Sequence, residues 1–360
     1  MNKKWIVIPS LLGLAVIGIF AMPALKYFWD EYKPRPTVVV DDAMRAEAID
    51  MLVATLNGRY IFPAKAKQIE AVLRQRQKEG KYDGITDGEQ LAQQLTADLQ
   101  AVAPDKHMVV GFDPGLVLPD DNGARPPPES KAQWERRNNV VVRAIMRFMA
   151  QRDVEEVDRL SSNIGYLKIT GFPPPFLVAE KYASALDELA HTDGLIVDLR
   201  HNRGGGPPSV ALLVSYFVDK RTHVNNVWDR ITGNTTQHWT EDKLDGKRYG
   251  SEKPVLILVG PDTMSAGEDF AYTMQALKRA TVIGQPTWGG ANPARPYRLG
   301  DNFYAVIPGR RTINPITKTN WEGVGVTPDI IATPDKALAV ARDLLQRRLQ
   351  GTAPTVAVAR

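Results

Sequence analysis

Apolar and polar positions recur along this chain with two different periods, and the change between them divides the sequence. In the first part, apolar residues recur at intervals of three and four, which is the spacing of amphipathic helices. This spacing predicts three helices, over residues 44–56, 64–79 and 87–99. Asp41 or Asp42 and Thr86 or Asp87 precede two of them as candidate N-caps. We therefore expect a small N-terminal helical domain over residues 39–112.

From residue 164 onward, short uninterrupted apolar runs alternate with helical segments. The runs predict buried strands over residues 164–169, 194–199, 255–259 and 281–284. The segments that follow them predict helices over residues 177–189, 209–217 and 266–277. This alternation argues for an α/β layer that includes parallel strands. We expect a connecting segment over residues 113–163, the sheet domain over residues 164–335, and a C-terminal helix with a disordered tail over residues 336–360.

Lys3 and Lys4 precede an uncharged apolar run that extends to about residue 25. The run is long enough to span a bilayer, and positive residues before such a run mark an export signal. No clean small-x-small cleavage site follows, which favours an uncleaved signal anchor over a cleaved signal peptide. Residues 1–38 are expected to hold this segment and a linker. The positive-inside rule then places the body in the periplasm or outside the cell, membrane-anchored, or secreted if the signal is cleaved.

Composition narrows the classes of function. The 43% of hydrophobic and 24% of charged residues exclude general disorder. A net charge of +4 without a basic block gives no reason to expect nucleic-acid binding. Cysteine is absent, which excludes disulfides, thiolate metal sites and a cysteine nucleophile. The five histidines lack metal-ligand spacing, so neither a metal site nor a cofactor is expected.

Ser265 lies between the buried strand over residues 255–259 and the helix that follows it. Such a position exposes a hydroxyl at the edge of the sheet, where open α/β sheets bind their ligands. The tetrapeptide Ser265-Ala-Gly-Glu268 also has the pattern of a capping box. Taken alone it favours a cap over a nucleophile, but the two interpretations are compatible.

The run Gly204–Gly206 follows the strand over residues 194–199. It allows two interpretations: a cradle or oxyanion hole, or a permissive turn that lets strand and helix pack closely. It is not a nucleotide-binding motif. A glycine N–H beside the N–H of Ala266 would suit an oxyanion near Ser265. His107 and Glu322, each taken alone, would pass for a structural histidine and an ordinary turn residue.

Six ordered motifs carry a resemblance to a known family. They are Gly165-Tyr-Leu-Lys-Ile169, Asp198-Leu-Arg-His-Asn-Arg-Gly-Gly205, Val255–Val259, Ser265-Ala-Gly-Glu268, Ile283-Gly-Gln-Pro-Thr-Trp-Gly-Gly290 and Gly323-Val-Gly-Val-Thr-Pro-Asp329. In this order they resemble the C-terminal processing (tail-specific) serine protease superfamily. Tyr60-Ile-Phe-Pro63 and Asp105-Lys-His107 make the front end similar to the branch with the tricorn core and interphotoreceptor retinoid-binding protein.

The resemblance implies a mixed α/β (α+β) fold, with a crotonase-like sheet domain and flanking helices after the helical domain. The branch that uses a lysine base has it where this chain has Gly290. About 50 residues separate Phe112 from Ile164, which is too few for the PDZ domain of the tail-specific relatives. Both departures point to the tricorn-like branch, so no PDZ domain is expected.

The resemblance also implies the roles of individual residues in a serine peptidase that works through an acyl-enzyme. Ser265 would be the nucleophile, His107 the general base and Glu322 the acid that orients it. Gly205 and Ala266 would form the oxyanion hole, and substrate would contact Gly204, Gly206, Gly289 and Gly290. The expected partners are peptide or protein substrates. Lys106 stands where the branch has a serine, and nothing indicates the oligomeric state.

Two alternatives stay open. One is a non-catalytic module that binds a peptide or an apolar ligand on the same fold. The other is a serine hydrolase whose base is Lys278 or Lys106. The triad hypothesis places the His107 ring within about 4 Å of the Ser265 hydroxyl, with the Glu322 carboxylate at the other ring nitrogen.

Overall fold

The computed structural model describes residues 37–114 and 153–351. The predicted export segment, most of the connecting segment and the tail after residue 351 lie outside the described residues. Predictions about them stay predictions, and so does the expected lack of a PDZ domain, which depends on residues 115–152. Within the two described ranges, no helix combines the length and the apolar character needed to cross a membrane.

Seven helices and twelve strands make up the described part. The helices are α1 (Asp42–Arg59), α2 (Pro63–Lys78), α3 (Gly88–Val102), α4 (Pro175–Leu189), α5 (Pro207–Val214), α6 (Ala266–Ala276) and α7 (Pro334–Leu349). The strands are β1 (Val109–Phe112), β2 (Val154–Leu160), β3 (Ile164–Ile169), β4 (Gly194–Asp198), β5 (His223–Asp229), β6 (Thr235–Trp239), β7 (Val255–Val259), β8 (Thr281–Gly284), β9 (Ala294–Leu299), β10 (Phe303–Pro308), β11 (Arg310–Ile313) and β12 (Ile330–Ile331).

The three N-terminal helices form where the apolar spacing predicts them. Asp41 accepts the N–H of Met44 at 2.8 Å, and Asp87 accepts the N–H of Gln90 at 2.8 Å. These side chains satisfy donors that the first turn of a helix leaves without a partner, so α1 and α3 begin at the expected caps.

The apolar faces of these helices do not close on one another alone. Strand β1 pairs with β10, and β10 pairs with β9, in an antiparallel sheet. Leu299, Phe303 and Ile307 of that sheet share one core with the helices, together with Leu52 and Leu56. The N-terminal part is therefore completed by strands from much later in the chain, which the sequence analysis did not predict.

The central sheet has the strand order β12-β8-β7-β4-β3-β2, and all its neighbours are parallel except β2 and β3. Alternate residues of β4 point to opposite faces: Leu195 and Val197 pack against α4, α5 and α6, whereas Ile196 packs against α7. Both faces are covered, which explains the uninterrupted apolar runs. The predicted mixed α/β fold is confirmed.

A third, antiparallel sheet has the order β11-β5-β6. None of its strands was predicted, because their polar residues break the apolar pattern. The sheet stands beside the carboxyl ends of β4 and β7, where Val227, Thr236, His238 and Thr312 line a cavity. It therefore supplies one wall of the candidate site.

Candidate active site

Asn202 joins the two loops that follow β4 and β7. It is fully buried, and its side-chain amide donates to the Ile169 carbonyl at 2.9 Å. Its Oδ1 accepts the N–H of Gly204 at 2.9 Å, and its carbonyl accepts the N–H of Met264 at 2.9 Å. The side chain of Asn202 thus holds the glycine loop, and its backbone carbonyl holds the residue before Ser265. Sequence reasoning missed Asn202, whose only signal was its position before three glycines.

Ser265 is the N-cap residue of α6 and has an unusual backbone conformation, with φ 50° and ψ −112°. A positive φ is strained for a residue with a side chain, and such a turn between strand and helix exposes the hydroxyl. Gly204 makes this packing possible, since a Cβ there would lie 2.8 Å from the Ser265 Cβ. The side chain opens onto the cavity, as the sequence analysis predicts for a nucleophile.

Glu268 holds the start of α6 and the following glycine loop together. Its buried carboxylate accepts the backbone N–H of Ser265 at 2.8 Å, which is the glutamate half of the predicted capping box. It also accepts the Thr287 hydroxyl at 2.5 Å and the N–H groups of Gly289 and Gly290 at 2.5 and 3.0 Å. Burial raises the pKa of Glu268, while these donors lower it.

Gly289 and Gly290 were predicted to contact substrate. Besides their N–H bonds to Glu268, the Gly289 carbonyl accepts the N–H of Gly323 at 2.9 Å. The Gly290 carbonyl accepts the indole N–H of Trp321 at 3.1 Å. Each backbone group of the two glycines already has a partner inside the protein, so the predicted substrate contact has no free backbone donor there.

Gly204, Gly205 and Gly206 differ in what they offer to a ligand. The N–H of Gly204 is bonded to Asn202, and the N–H of Gly206 donates to the Phe172 carbonyl at 2.8 Å. The N–H groups of Gly205 and Ala266 have no acceptor in the described part of the chain, and both residues line the cavity beside Ser265. Two free donors beside a serine are the arrangement that an oxyanion hole needs.

His107 lines the same cavity as Ser265. The edge of its ring contacts Trp288, with 4.8 Å between ring centroids. Burial lowers the pKa of His107 to about 4, because desolvation disfavours the charged imidazolium, so the ring is neutral at pH 7. No hydrogen bond joins the ring to the Ser265 hydroxyl within the described residues. The observation that relates His107 to Ser265 is that both line the same cavity.

Glu322 lies next to the imidazole. One carboxylate oxygen accepts the N–H groups of Ala291 and Asn292 at 2.7 and 3.0 Å. Among the described residues, the other oxygen is buried without a hydrogen-bond partner, and so is Nδ1 of His107. Burial raises the pKa of Glu322, while the two N–H groups and the nearby Lys106 lower it.

Asp105 is the member of this cluster that the sequence analysis did not assign. It is 4% exposed and accepts the backbone N–H of His107 at 3.2 Å. Burial and the charge of Glu322 raise its pKa to about 7, although Asn292 and Tyr60 favour its charged form. Its position two residues before the histidine was the only signal in the sequence.

Asp105, His107 and Glu322 each offer one donor atom, and these atoms lie within 4.8 Å of one another. In the described part of the chain this is the set that could hold a metal ion. One nitrogen and two carboxylate oxygens resemble a zinc donor set. The same arrangement equally lets the two carboxyl groups, of Asp105 and Glu322, orient the His107 imidazole.

The cavity that contains Ser265 and His107 has a volume of about 810 Å³. Glycines and the start of α6 form one side, and the β11-β5-β6 sheet forms another. Its apolar lining is supplied by Pro207, Pro208, Val227, Ala291, Pro293, Ala294 and Trp321. A cavity of this size that combines an apolar lining with polar side chains suits a stretch of peptide.

Comparison with known proteins identifies the family. The family model described as Peptidase family S41 matches residues 163–332. The model described as the N-terminal domain of Peptidase_S41 in eukaryotic IRBP matches residues 43–147. Together they account for both parts of the described fold. The chain belongs to peptidase family S41, in agreement with the resemblance found in its motifs.

Among curated relatives, the carboxyl-terminal-processing peptidase 2 of Arabidopsis thaliana chloroplasts is 28% identical over 169 residues, 47% of this chain and 32% of that protein. A tricorn protease homolog of Saccharolobus solfataricus is 29% identical over 203 residues, 52% of this chain and 16% of that protein. A carboxy-terminal-processing protease of Bartonella bacilliformis is 27% identical over 179 residues, 48% of this chain and 39% of that protein. The matches thus span well under half the length of these relatives.

Solved structures show the fold. A lipoprotein from Streptococcus agalactiae matches with a TM-score of 0.54 at 14% identity, over 87% of this chain and 99% of that one. The photosystem II D1 C-terminal processing protease matches with a TM-score of 0.52 at 15% identity, over 88% and 100%. The tricorn protease matches with a TM-score of 0.53 at 15% identity, over 86% and 37%.

Proposed function

We propose that this chain is a serine peptidase that hydrolyses peptide or protein substrates through an acyl-enzyme. Ser265 is the nucleophile, His107 the general base and Glu322 the acid that orients the base. The observation that carries the proposal is the shared cavity. Into it open a serine in a strained turn, a neutral histidine, and two backbone N–H groups that have no acceptor in the part of the chain that the structure describes.

The first half of the reaction forms an ester and releases an amine. The Ser265 oxygen attacks the carbonyl carbon of the scissile peptide bond while its proton passes to the neutral ring of His107. The carbon–nitrogen bond then breaks, and the imidazolium returns the proton to the leaving amine. In the second half, a water molecule attacks the ester carbonyl carbon while its proton passes to His107. The ester bond then breaks, the proton returns to the Ser265 oxygen, and the carboxylic acid is released. Burial lowers the pKa of His107 to about 4, so at neutral pH the ring is unprotonated and its lone pair is available, while the imidazolium that forms needs a nearby negative charge to stabilise it.

The N–H groups of Gly205 and Ala266 stabilise the negative charge on the carbonyl oxygen during attack. Ala266 is the first residue of α6, so the positive end of the helix dipole also acts on that oxygen. The two donors are set in advance by the Gly204–Asn202 bond and the strained turn at Ser265. Preorganised donors of this kind cost no rearrangement when the charge develops.

Glu322 stabilises the imidazolium that forms on His107. Its carboxylate is fixed by the N–H groups of Ala291 and Asn292, while its second oxygen is left for the ring. Asp105 adds a second carboxyl beside the same ring. Burial, and after it the like charge of Glu322, raise the pKa of Asp105 to about 7, so Asp105 is partly protonated near pH 7. In this proposal Asp105 is a positioning residue, and Glu322 carries the charge.

A lysine base is less consistent with the geometry. The ammonium group of Lys106 donates to the Trp288 carbonyl. Lys278 follows the end of α6, at the opposite end of the helix from Ser265. Neither residue lines the cavity, whereas His107 does.

Active-site labelling tests the proposal. A fluorophosphonate probe is expected to label the purified wild-type protein and not the Ser265→Ala variant, because the probe needs an activated hydroxyl. Ser251→Ala, which removes a hydroxyl that does not line the cavity, serves as the control and should label normally. Wild-type protein that resists labelling, but binds peptides, would support the non-catalytic binding module instead.

We further propose that the protein is exported and attached to a membrane by its N-terminal segment. The charge pattern supports this, since Lys3 and Lys4 precede the uncharged run. Alkaline phosphatase fused after residue 351 is expected to be active in a bacterial host, and removal of residues 1–36 should abolish that activity. A fusion that is inactive with the full chain would overturn the proposal.

A further inference from the structure

Asp269 lies one helical turn after Ser265 on α6. Side chains on a helix lean toward its N-terminus, so the Asp269 side chain extends toward the turn that contains Ser265, and both residues line the same cavity. The two are also joined by the backbone, since the N–H of Asp269 donates to the Ser265 carbonyl at 2.9 Å. Asp269 is only 3% exposed, and its exposed part lines the cavity that contains Ser265 and His107.

The immediate partners of Asp269 are neutral. Its carboxylate accepts the amide of Asn225 and the hydroxyl of Thr273, the latter at 3.3 Å. Within the described residues it forms no ion pair. Asn225 is itself fully buried, and its amide oxygen has no hydrogen-bond partner in residues 37–114 and 153–351. Both carboxylate oxygens of Asp269 are therefore hydrogen-bonded, but only to neutral groups, and no cation balances the carboxylate among the described residues.

A carboxyl group in this position costs stability when the site is empty. Burial raises the pKa of Asp269 to about 7, which means that its charged form is poorly solvated. An apolar residue would pack the base of α6 without that cost. A buried acid with no cation beside it is the arrangement that a positively charged ligand group would complete.

The walls above Asp269 define the shape of that group. Pro207 and Pro208 at the start of α5, Val227 on β5 and Ala291 all line the cavity. They offer an apolar channel toward the acidic floor. Lysine and arginine have this complementary form, with an apolar stem and a charged end.

We propose that Asp269 is the floor of the subsite that receives the side chain on the acyl side of the cleaved bond, and that it selects lysine or arginine there. The Ser265 oxygen bonds to the carbonyl carbon of the substrate residue on the acyl side. Because Asp269 lies one helical turn from Ser265, we assign it to the subsite of that residue. The inference rests on the peptidase activity proposed above. The opposite wall of the cavity has one acidic residue, Asp229, and one basic residue, Arg310, so it has no net charge to select a substrate side chain. The charge that selects is therefore that of Asp269.

Peptide cleavage by the wild-type protein is the decisive experiment. Fluorogenic peptides that differ only in the residue before the cleaved bond are compared, with lysine, arginine, norleucine or aspartate at that position. We expect kcat/KM to be at least about tenfold higher for lysine and arginine than for norleucine, which has a similar length and no charge. A preference for norleucine or aspartate would overturn the inference.

Asp269→Asn then assigns the preference to this side chain. The variant keeps the size of the residue and removes its charge. It should lower kcat/KM for the lysine and arginine peptides by at least about tenfold and leave the norleucine peptide within about threefold. Asp335→Asn, at an exposed position in the first turn of α7, makes the same change of charge and should alter neither.

Fluorophosphonate labelling separates this inference from the proposed function. A wild-type protein that labels and cleaves without favouring basic residues keeps the peptidase assignment and refutes the subsite. Wild-type protein that does not label at all refutes the peptidase. If Asp269→Asn folds poorly, inhibition of wild-type labelling by peptide aldehydes gives the answer: an argininal should compete at least about tenfold better than a norleucinal.

Discussion

The Glu268 carboxylate accepts the backbone N–H of Ser265 at 2.8 Å, and through this bond the nucleophile loop is tied to the loop that contains Gly289 and Gly290. The acid that caps α6 therefore also sets the position of the segment behind His107. A Cβ at Gly290 would lie 2.7 Å from the His107 ring, so these loops are in close contact.

Glu268→Gln is expected to weaken both stability and activity. A glutamine has one acceptor oxygen where the carboxylate has two, so buried N–H groups lose a partner, at a cost of about 1–3 kcal/mol. Urea unfolding measures this cost, and the rate of fluorophosphonate labelling should fall with it. Glu156→Gln on the exposed side of β2 is the control. Equal stability of the wild type and Glu268→Gln would contradict the proposed link between the loops.

His107→Ala is expected to lower kcat/KM by about 10²–10⁴, the range that general-base catalysis contributes. The exposed His191→Ala variant should retain full activity. Peptide hydrolysis at pH 7.5 measures both variants, and circular dichroism checks that they are folded. Full activity of His107→Ala would refute the triad and favour a lysine base.

The pH dependence of activity should reflect the lowered pKa of His107. Burial disfavours the imidazolium, so the free enzyme holds the neutral, active ring above about pH 4 and the inactive, protonated ring below it. We expect kcat/KM to rise through about pH 4 and not through the ordinary histidine value of about 6.5. Cleavage of an uncharged peptide between pH 3 and 8 tests this. A midpoint near 6.5 would show that the ring is solvated in the working enzyme.

Asp105→Asn should change how stability depends on pH. The carboxyl of Asp105 has a pKa of about 7 in the folded chain, above its unfolded value of about 3.9. The folded state therefore binds the extra proton between these values, and the contribution of Asp105 to stability is lost as pH rises toward 7. The variant should thus gain stability relative to the wild type between pH 5 and pH 8, measured by urea unfolding. A pH-independent difference would contradict the raised pKa.

Gly205→Ala is expected to abolish labelling of Ser265. The glycine has φ 142°, and a Cβ there would lie 2.1 Å from the Phe172 carbonyl oxygen. The loop must move, and loss of one oxyanion donor alone costs about 10²–10³ in rate. Gly233 also has a positive φ, but a Cβ there would meet no atom within 4 Å. The Gly233→Ala variant therefore shows the effect of backbone strain without a clash. It should lose a little stability and keep its activity.

The candidate site could be predicted from the sequence only in part. Ser265, His107 and Glu322 were assigned because their motifs resemble a family, not because their spacing implied contact. Asn202 and Asp269 were missed, since an asparagine in a loop and an aspartate in a helix carry no local mark of burial. The predicted substrate role of Gly289 and Gly290 did not anticipate that Glu268 occupies their N–H groups.

The sequence by itself determined the helices of the N-terminal part, the buried strands of the central sheet and the position of Ser265 where a strand passes into a helix. These features depend on the spacing of apolar residues and on residues that are neighbours in the sequence, so they can be predicted from the local sequence. Only the tertiary structure decided that β1 pairs with β10 and that Asp105, His107 and Glu322 meet beside that serine's cavity. Such contacts join distant segments, and they form because packing apolar faces fixes where the loops lie, which no local pattern of residues records.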